Sequence, residues 1–405
     1  MRFFVAAALA ALMLPAGASA APSVRYGIQD DAWLAAGPGA LSERVSALDR
    51  LGVDVVRYTI HWNEAEPAKG RYAWGSADAV LPALRARGIR ALVTLTGTPA
   101  WANGGRAANV APRNGADFAR FATAAARRYP WVREWSIWNE PNQARFLRPA
   151  SPRTYVRTLL NPAYAALKAR NRANRVAGGE TAPRGNGGLS PVAWIRGMKA
   201  AGARLDAYAH HPYPTSRFET PSAGGCAHCD TITMATLDRL LRETARAWPG
   251  ARVWLTEYGY QTNPPDRLLG VSPNAQARFL AEAALRAYRA ARVDMLIHYL
   301  VHDEADVGRF QSGLFRADGT PKPSASAFPL PLASSGRGTL WGQVRPRRGR
   351  QPYRLQLVRG GTTSWLGGVR FTDSRGFLAA SVPRGSIVRL YSVRDRAFGV
   401  PVLAR

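Results

Sequence analysis

The sequence predicts an α/β protein: a (β/α)8 TIM barrel followed by a small, sandwich-like antiparallel β domain at the C-terminus. Three observations carry that expectation. Apolar strand-like runs alternate eight times with amphipathic helical stretches between residues 24 and 301. Two of those runs end in a glutamate, Glu140 and Glu257, where such a barrel keeps its reactive groups. After Pro331 the texture changes to short apolar runs split by Gly, Pro and Asp-Ser turns.

The chain of 405 residues opens with Met1-Arg2, an apolar run over 3–14, Pro15 and Ala18-Ser19-Ala20. A charged start, a short apolar run and a small-residue cleavage site predict a secretory signal peptide at 1–20 and an exported, soluble protein. The apolar run is too short for a membrane anchor, and no later segment is apolar enough to span a bilayer. The barrel is then expected over 21–332 and the β domain over 337–405, joined by Ala333-Ser334-Ser335-Gly336.

Strands are expected over 24–28, 53–61, 89–95, 132–138, 175–179, 207–211, 251–257 and 294–301. Between them, helices are expected over 41–51, 77–87, 116–128, 192–201, 234–247 and 274–291. Gly52 and Gly88 follow two of these as left-handed terminators, and Ser272-Pro273 opens another as N-cap and first helical residue. Eight repeats fit a closed barrel better than an open doubly wound sheet. No Gly-x-Gly-x-x-Gly follows the first strand, which argues against a dinucleotide fold. Beyond the barrel, short strands are expected over 339–344, 353–358, 364–369, 376–382 and 387–391.

Charge is the unusual feature. Lys+Arg 55 against Asp+Glu 27 gives +28, and only Lys69, Lys168, Lys199 and Lys322 are lysines. The arginines are scattered, which reads as GC-rich codon usage rather than one binding surface. The densest cluster is Arg345-Pro346-Arg347-Arg348-Gly349-Arg350. No basic helix or aromatic RNA motif accompanies the charge, so nucleic acid is not an expected partner. Contact with an anionic cell surface or acidic polysaccharide suits it better. A monomer is expected.

Cys226 and Cys229 lie in Gly224-Gly225-Cys226-Ala227-His228-Cys229. In an exported protein a local disulfide is the default reading. Zinc would want four ligands, and only His228 is adjacent; a redox pair would open a helix after a strand, whereas this loop is rich in Pro and Gly.

The fourth strand ends Trp135-Ser136-Ile137-Trp138-Asn139-Glu140-Pro141-Asn142, and Pro141 stops it directly after the carboxylate. The seventh ends Val253-Trp254-Leu255-Thr256-Glu257-Tyr258-Gly259. Two carboxylates converging from different strands are what glycoside hydrolysis requires, one to protonate the leaving oxygen and one to attack the anomeric carbon.

This pairing resembles the clan A glycoside hydrolases, within them the family 5 (cellulase-type) and family 39 enzymes, over roughly residues 23–330. The resemblance includes Arg57, Trp62 followed by Glu66-Pro67, Thr98-Pro99-Ala100-Trp101, His211-Pro212-Tyr213 and Gly319-Thr320-Pro321-Lys322-Pro323. It implies a secreted retaining O-glycosidase without cofactor or metal, with Glu140 as acid/base and Glu257 as nucleophile. It also implies substrate contacts at Arg57, Trp62, Asn139, His211 and Tyr213; His61 and Tyr299, at strand exits, are expected as further contacts. The clan places a Trp at the end of strand eight; this chain has Tyr299. Glu180, ending strand five, ranks as a secondary substrate contact. A glycan-binding barrel without chemistry, and a transglycosylase using the same two glutamates, are the alternatives.

Alternation within the strands assigns the faces. Arg57, Thr59 and His61 share one, and a buried Arg57 needs a carboxylate, for which Glu257 is the natural partner; an outward Arg57 is the alternative. Val253, Leu255 and Glu257 share a face in the seventh strand, and His211 and Tyr213 share one at the sixth. Asn139 and Glu140 are consecutive, so both face a substrate only if the strand end is irregular. Trp62, Trp101 and Tyr299 either stack on sugars or simply pack. Five of six histidines, His61, His210, His211, His298 and His302, fall at strand exits. Metal-dependent amidohydrolases use the same fold, but their pattern has His-x-His on the first strand. Here that strand reads Arg25-Tyr26-Gly27-Ile28-Gln29-Asp30, so metal-free hydrolysis is expected.

Overall fold

The computed structural model describes residues 23–226 and 229–405; the leader expected at 1–20 and the His228 of the zinc alternative lie outside the described residues. Eight parallel strands close a barrel: β1 Arg25–Gln29, β2 Val55–His61, β3 Arg90–Thr96, β4 Glu134–Ile137, β5 Arg175–Thr181, β6 Ala207–His210, β7 Arg252–Tyr258 and β8 Val293–Tyr299. β1 pairs with both β2 and β8, which completes the ring. Helices lie between the strands, among them Leu41–Leu51, Gly115–Arg128 and Pro273–Arg289. Their ends follow the local chemistry. The Ser272 hydroxyl accepts from the Ala275 amide with Pro273 at the first helical position, and Gly52 ends its helix at φ 72. The stretch expected as helix over 234–247 begins with a 3-10 turn, Met234–Thr236, before Leu237–Ala247.

Apolar side chains form one core between strands and helices and a second inside the barrel. The inner one joins Val55, Leu92, Ala177, Ala207, Ala209, Trp254, Met295 and Ile297. Alanines on β5 and β6 leave the volume that Trp254 fills. Below this layer, at the strands' N-terminal ends, Arg25 forks both oxygens of Glu134 at 2.6 Å. Arg175 and Arg252 grip Asp294 at 2.6 and 2.7 Å. These pairs close the inside of the barrel at its lower end.

β2 alternates regularly: Val55 belongs to the inner core, while Val56, Tyr58 and Ile60 join the outer one. Three strands break alternation at their upper ends. After β4, Trp138 takes φ 74 and Glu140 φ 42. In β5, Gly179 takes φ 102 and Glu180 φ 46, with a register shift between Gly178 and Thr181. β7 slips register between Leu255 and Tyr258. That slip corrects the face assigned to β7. Trp254 is the inner residue and Val253 and Leu255 join the outer core, so unbroken alternation would turn Glu257 outward. The bulge turns it in.

The C-terminal domain is two antiparallel sheets around Leu340, Leu355, Leu378, Val388 and Leu390. One has strand order Phe377–Ser381, Thr339–Gln343, Leu332–Gly336; the other centres on Pro352–Arg359 and Ile387–Ser392. The segment expected as a linker, 333–336, is therefore part of a strand, with Leu332 and Ala333 buried and a turn through Gly336, Arg337 and Gly338 at positive φ. The domain abuts the barrel where Tyr288 of the helix before β8 meets Trp341 and Phe377, at 5.4 and 4.7 Å between ring centroids.

Candidate active site

The irregular strand ends place their polar residues around one buried cation. Arg57, 1 % exposed, donates through Nη1 to Gln29 and Glu257, through Nη2 to Asn139 Oδ1 at 3.0 Å and Glu180 Oε2 at 3.3 Å, and through Nε to Thr94 at 3.0 Å. All five donors of the guanidinium fork are directed at acceptors on β1, β2's neighbours and the far side of the barrel. Gln29 is itself oriented by donating to Asp31 at 3.2 Å. Burial opposes the Arg57 charge, but Glu180 and then Glu257 outweigh it and raise its pKa. The partner expected for Arg57 is present, joined by a second carboxylate.

Glu140 and Glu257 face each other across the upper opening. Oxygens of the two carboxylates and a ring nitrogen of His211 all lie within 4.8 Å of one another. His211 follows β6 on the inward face and is fully buried; its Nδ1–H donates to Glu140 Oε1 at 2.9 Å and its Nε2–H to Glu180 Oε2 at 2.8 Å. Glu257 Oε2 stands 3.6 Å from the same Nδ1. Burial favours the neutral ring, yet Glu257, Glu140 and Glu180 together raise the His211 pKa to about 9. The ring is thus an imidazolium at neutral pH, donating from both nitrogens. Tyr213 donates to Glu257 Oε2 at 3.1 Å, and burial holds its hydroxyl protonated.

Glu180 corrects the sequence reading most sharply. It is fully buried and does not border the cavity that Glu140 and Glu257 share, so it is withdrawn from the place of a substrate contact. It accepts from Arg57, His211, Thr256 and Ser136. Burial would raise its pKa; Arg57 first and His211 next bring it down to about 2. It is the fixed anion that balances two buried cations.

A cavity of about 460 Å³ opens above this network, bordered by Asn139, Glu140, Tyr213, Glu257, Tyr299 and Phe310, among others. Tyr299 occupies the place where the resemblance implied a Trp, and its ring lies 5.0 Å from Phe310 and 6.4 Å from Tyr213. Arg145 and Arg184 stand exposed at the rim. Of the expected contacts, Asn139, Tyr213 and Tyr299 reach the cavity, and Arg57 and His211 act from beneath it. Two do not take part. Trp62 is fully buried, donates to Glu66 and packs on Phe121 and Trp101, so it presents no face to a sugar. His61 is exposed at the end of β2 and does not border the cavity. Trp101 is tied to the Glu66 carbonyl at 2.9 Å, also away from the cavity wall.

The histidine concentration also resolves differently. Only His211 joins the carboxylates. His210 bonds Thr181 and the Ile232 carbonyl, and burial depresses its pKa to about 3. Burial depresses that of His298 likewise, beside Phe328. His302 stacks on Phe315 and lies tilted against Trp33. Cys226 and Cys229 are joined as a disulfide with Cα atoms 5.4 Å apart, in the loop after β6. Lys322, from the Gly319–Pro323 motif, is buried against Asp303 at 2.6 Å and anchors the loops after β8.

Glu140, His211 and Glu257 stand close enough to offer ligands to a metal ion. The hydrogen bonding argues otherwise: both His211 nitrogens are spent as donors to carboxylates, and Arg57 already supplies a cation at Glu257.

The fold, an eight-stranded barrel with a C-terminal β domain, is shared with glycoside hydrolases. The family 39 glycoside hydrolase from the gut symbiont Bacteroides cellulosilyticus WH2 is 19% identical at TM-score 0.65, covering 90% of this chain and 81% of that one. A monomeric beta-xylosidase from Caulobacter crescentus CB15 is 16% identical at TM-score 0.59, covering 91% and 95%. The GH39 enzyme from Xanthomonas axonopodis pv. citri is 15% identical at TM-score 0.59, covering 92% and 94%. No protein-family model matches the chain, and no curated protein matches it. At these identities the likeness is one of fold.

Proposed function

We propose that the protein is an exported O-glycosidase that cleaves an oligosaccharide or polysaccharide with retention of configuration. One observation carries the reading: two carboxylates from separate strands within 4.8 Å, each held by a different cation. Facing oxygens this close support the narrow carboxyl separation of a retaining pair, about 5–5.5 Å, over that of an inverting one, about 6.5–9.5 Å. A narrow separation leaves little room for a water between carboxylate and sugar, which favours direct attack.

Glu257 is the nucleophile. Arg57 and Tyr213 hold its two oxygens and fix its aim at the anomeric carbon. Glu140 donates a proton to the leaving oxygen, and the C–O bond breaks as the bond to Glu257 forms. The carboxylate left on Glu140 is met by the His211 Nδ1–H, which stabilises it until it draws a proton from water. That water attacks the same carbon, frees Glu257, and returns the proton to Glu140. Asn139 has its Oδ1 fixed on Arg57, which leaves its amide N–H groups for a sugar hydroxyl at the cavity wall. No step requires a cofactor. The signal-like segment at 1–20 supports export.

The similar structure described as a beta-xylosidase suggests aryl xylosides as first substrates. The test separates the glutamates by role. Glu257→Ala should abolish hydrolysis, and azide should rescue it with inverted product. Glu140→Ala should still form the intermediate from a dinitrophenyl glycoside, and azide should rescue turnover with retention. Swapped stereochemistry would reverse the roles, and full activity in both variants would end the reading.

A further inference from the structure

The opposite end of the barrel carries a feature that hydrolysis does not use. A cavity of about 1110 Å³ lies between the strands' N-terminal ends and the β domain, reached from Arg25 at the start of β1, Arg90 at the start of β3 and Arg175 at the start of β5. Eight arginines border it, against Asp49, Asp54 and Asp294. Arg25 and Arg175 are neutralised by Glu134 and Asp294, and Arg347 by Asp395. Arg90, Arg345, Arg348 and Arg375 make no ion pair among the described residues.

We propose that this cleft binds an acidic polysaccharide. Arg348 and Arg375 each give one nitrogen to a backbone carbonyl, Gly88 at 3.2 Å and Val24 at 3.4 Å, and keep their remaining N–H groups for a ligand. Such forks match carboxylate and sulfate oxygens two at a time. Arg345 is 7 % exposed, its guanidinium centred 4.0 Å from the Tyr26 ring and 4.6 Å from Phe328, and its Nη2 is buried without a partner. Asp54 offsets this charge only in part, against the burial that opposes it, and an anion brought into the cleft relieves more of the cost. With eight arginines against three aspartates, the low-dielectric walls focus a net positive field on such an anion. The bordering residues include no aromatic ring, so nothing there stacks a nucleobase; the chemistry suits repeating anions on a sugar chain.

Occupancy at this end leaves Glu140 and Glu257 open at the other, so the cleft would tether the protein to a charged matrix. The proposal does not rest on the hydrolytic reading, and the Glu257→Ala variant should bind as the parent does. The test measures affinity for polygalacturonate and for dextran sulfate, carboxylate and sulfate arms, at about 0.15 M salt, where long-range surface attraction is screened. Charge reversal of Arg90 and Arg348 to Glu should weaken binding of the preferred polymer by about tenfold or more. The same reversal at Arg242 and Arg384, exposed arginines that do not border the cleft, should change it by less than about twofold. Arg90→Gln with Arg348→Gln should give an intermediate loss, and melting curves confirm that each variant is folded. Equal loss in both pairs would assign binding to the general charge of +28 and overturn the proposal. So would failure to bind either polymer, or tighter binding of a single-stranded oligonucleotide.

Discussion

Replacing Glu180 by Gln should convert His211 from a permanent cation into a group that titrates near neutrality. The substitution keeps the shape and one acceptor oxygen but removes the charge 2.8 Å from Nε2. With charge centres about 4 Å apart and an effective dielectric of about 20, that attraction is worth about 4 kcal/mol, or about three pKa units. The acceptor retained by the amide and relaxation of Ser136 and Thr256 reduce this to about two units. His211 should then fall from about 9 toward about 7, still faced by Glu140 and Glu257. The sign of the stability effect follows. A histidine raised from about 6.5 unfolded to about 9 folded contributes fully below pH 6.5, and that contribution is lost as pH rises through 9. It amounts to about 3 kcal/mol in the parent and under about 1 kcal/mol in the variant. The parent's advantage in melting temperature should therefore be largest at pH 6 and shrink by pH 9.5. Imidazole NMR would follow the ring directly, and the alkaline limb of kcat/KM should move down by about two pH units. A His211 titration unchanged in Glu180→Gln would refute the assignment of Glu180 as its balancing anion.

Two further outcomes follow from single contacts. Tyr213→Phe removes the 3.1 Å hydrogen bond to Glu257 and nothing else charged, so kcat/KM should fall by about 10–100-fold with little change in melting temperature. Gly179→Ala forces a Cβ into φ 102, 2.7 Å from the Tyr208 ring, and should lower stability by about 1–3 kcal/mol in chemical denaturation. A variant as stable as the parent would mean that β5 does not need its kink.

The barrel was legible because its period is simple: eight apolar runs, eight helical stretches, and glutamates at two exits. What the sequence hid was where the period fails. Alternation placed Val253, Leu255 and Glu257 together, yet Leu255 packs outward and Glu257 inward, because β7 slips between them and Tyr258. Pro141 did signal the break after β4, and Gly178-Gly179 carried the same signal for β5. Trp62 was misleading for a different reason. An aromatic at a strand exit reads the same whether it faces a sugar or Phe121, and only packing decides. Ser334-Ser335-Gly336 likewise reads as a linker by composition, although Leu332 and Ala333 supply the two buried positions that make it a strand.

Glu180 shows what kind of reasoning would have recovered the rest. One buried arginine calls for one carboxylate, and Glu257 satisfied that requirement on paper. The requirement changes once His211 is placed under two carboxylates, because a ring donating from both nitrogens is a second buried cation. In the double displacement proposed above, Glu257 and Glu140 would change charge, so neither could serve as the permanent counter-ion of Arg57 or His211. A third carboxylate, withdrawn from the cavity and held ionised, would keep both cations in place through such a reaction. The broken alternation serves the same end. A regular strand sends every second side chain inward, which spaces functional groups too widely for one small cavity. Irregular ends on β4, β5 and β7 bring Asn139, Glu140, Glu180, Thr256 and Glu257 to the same level of the barrel.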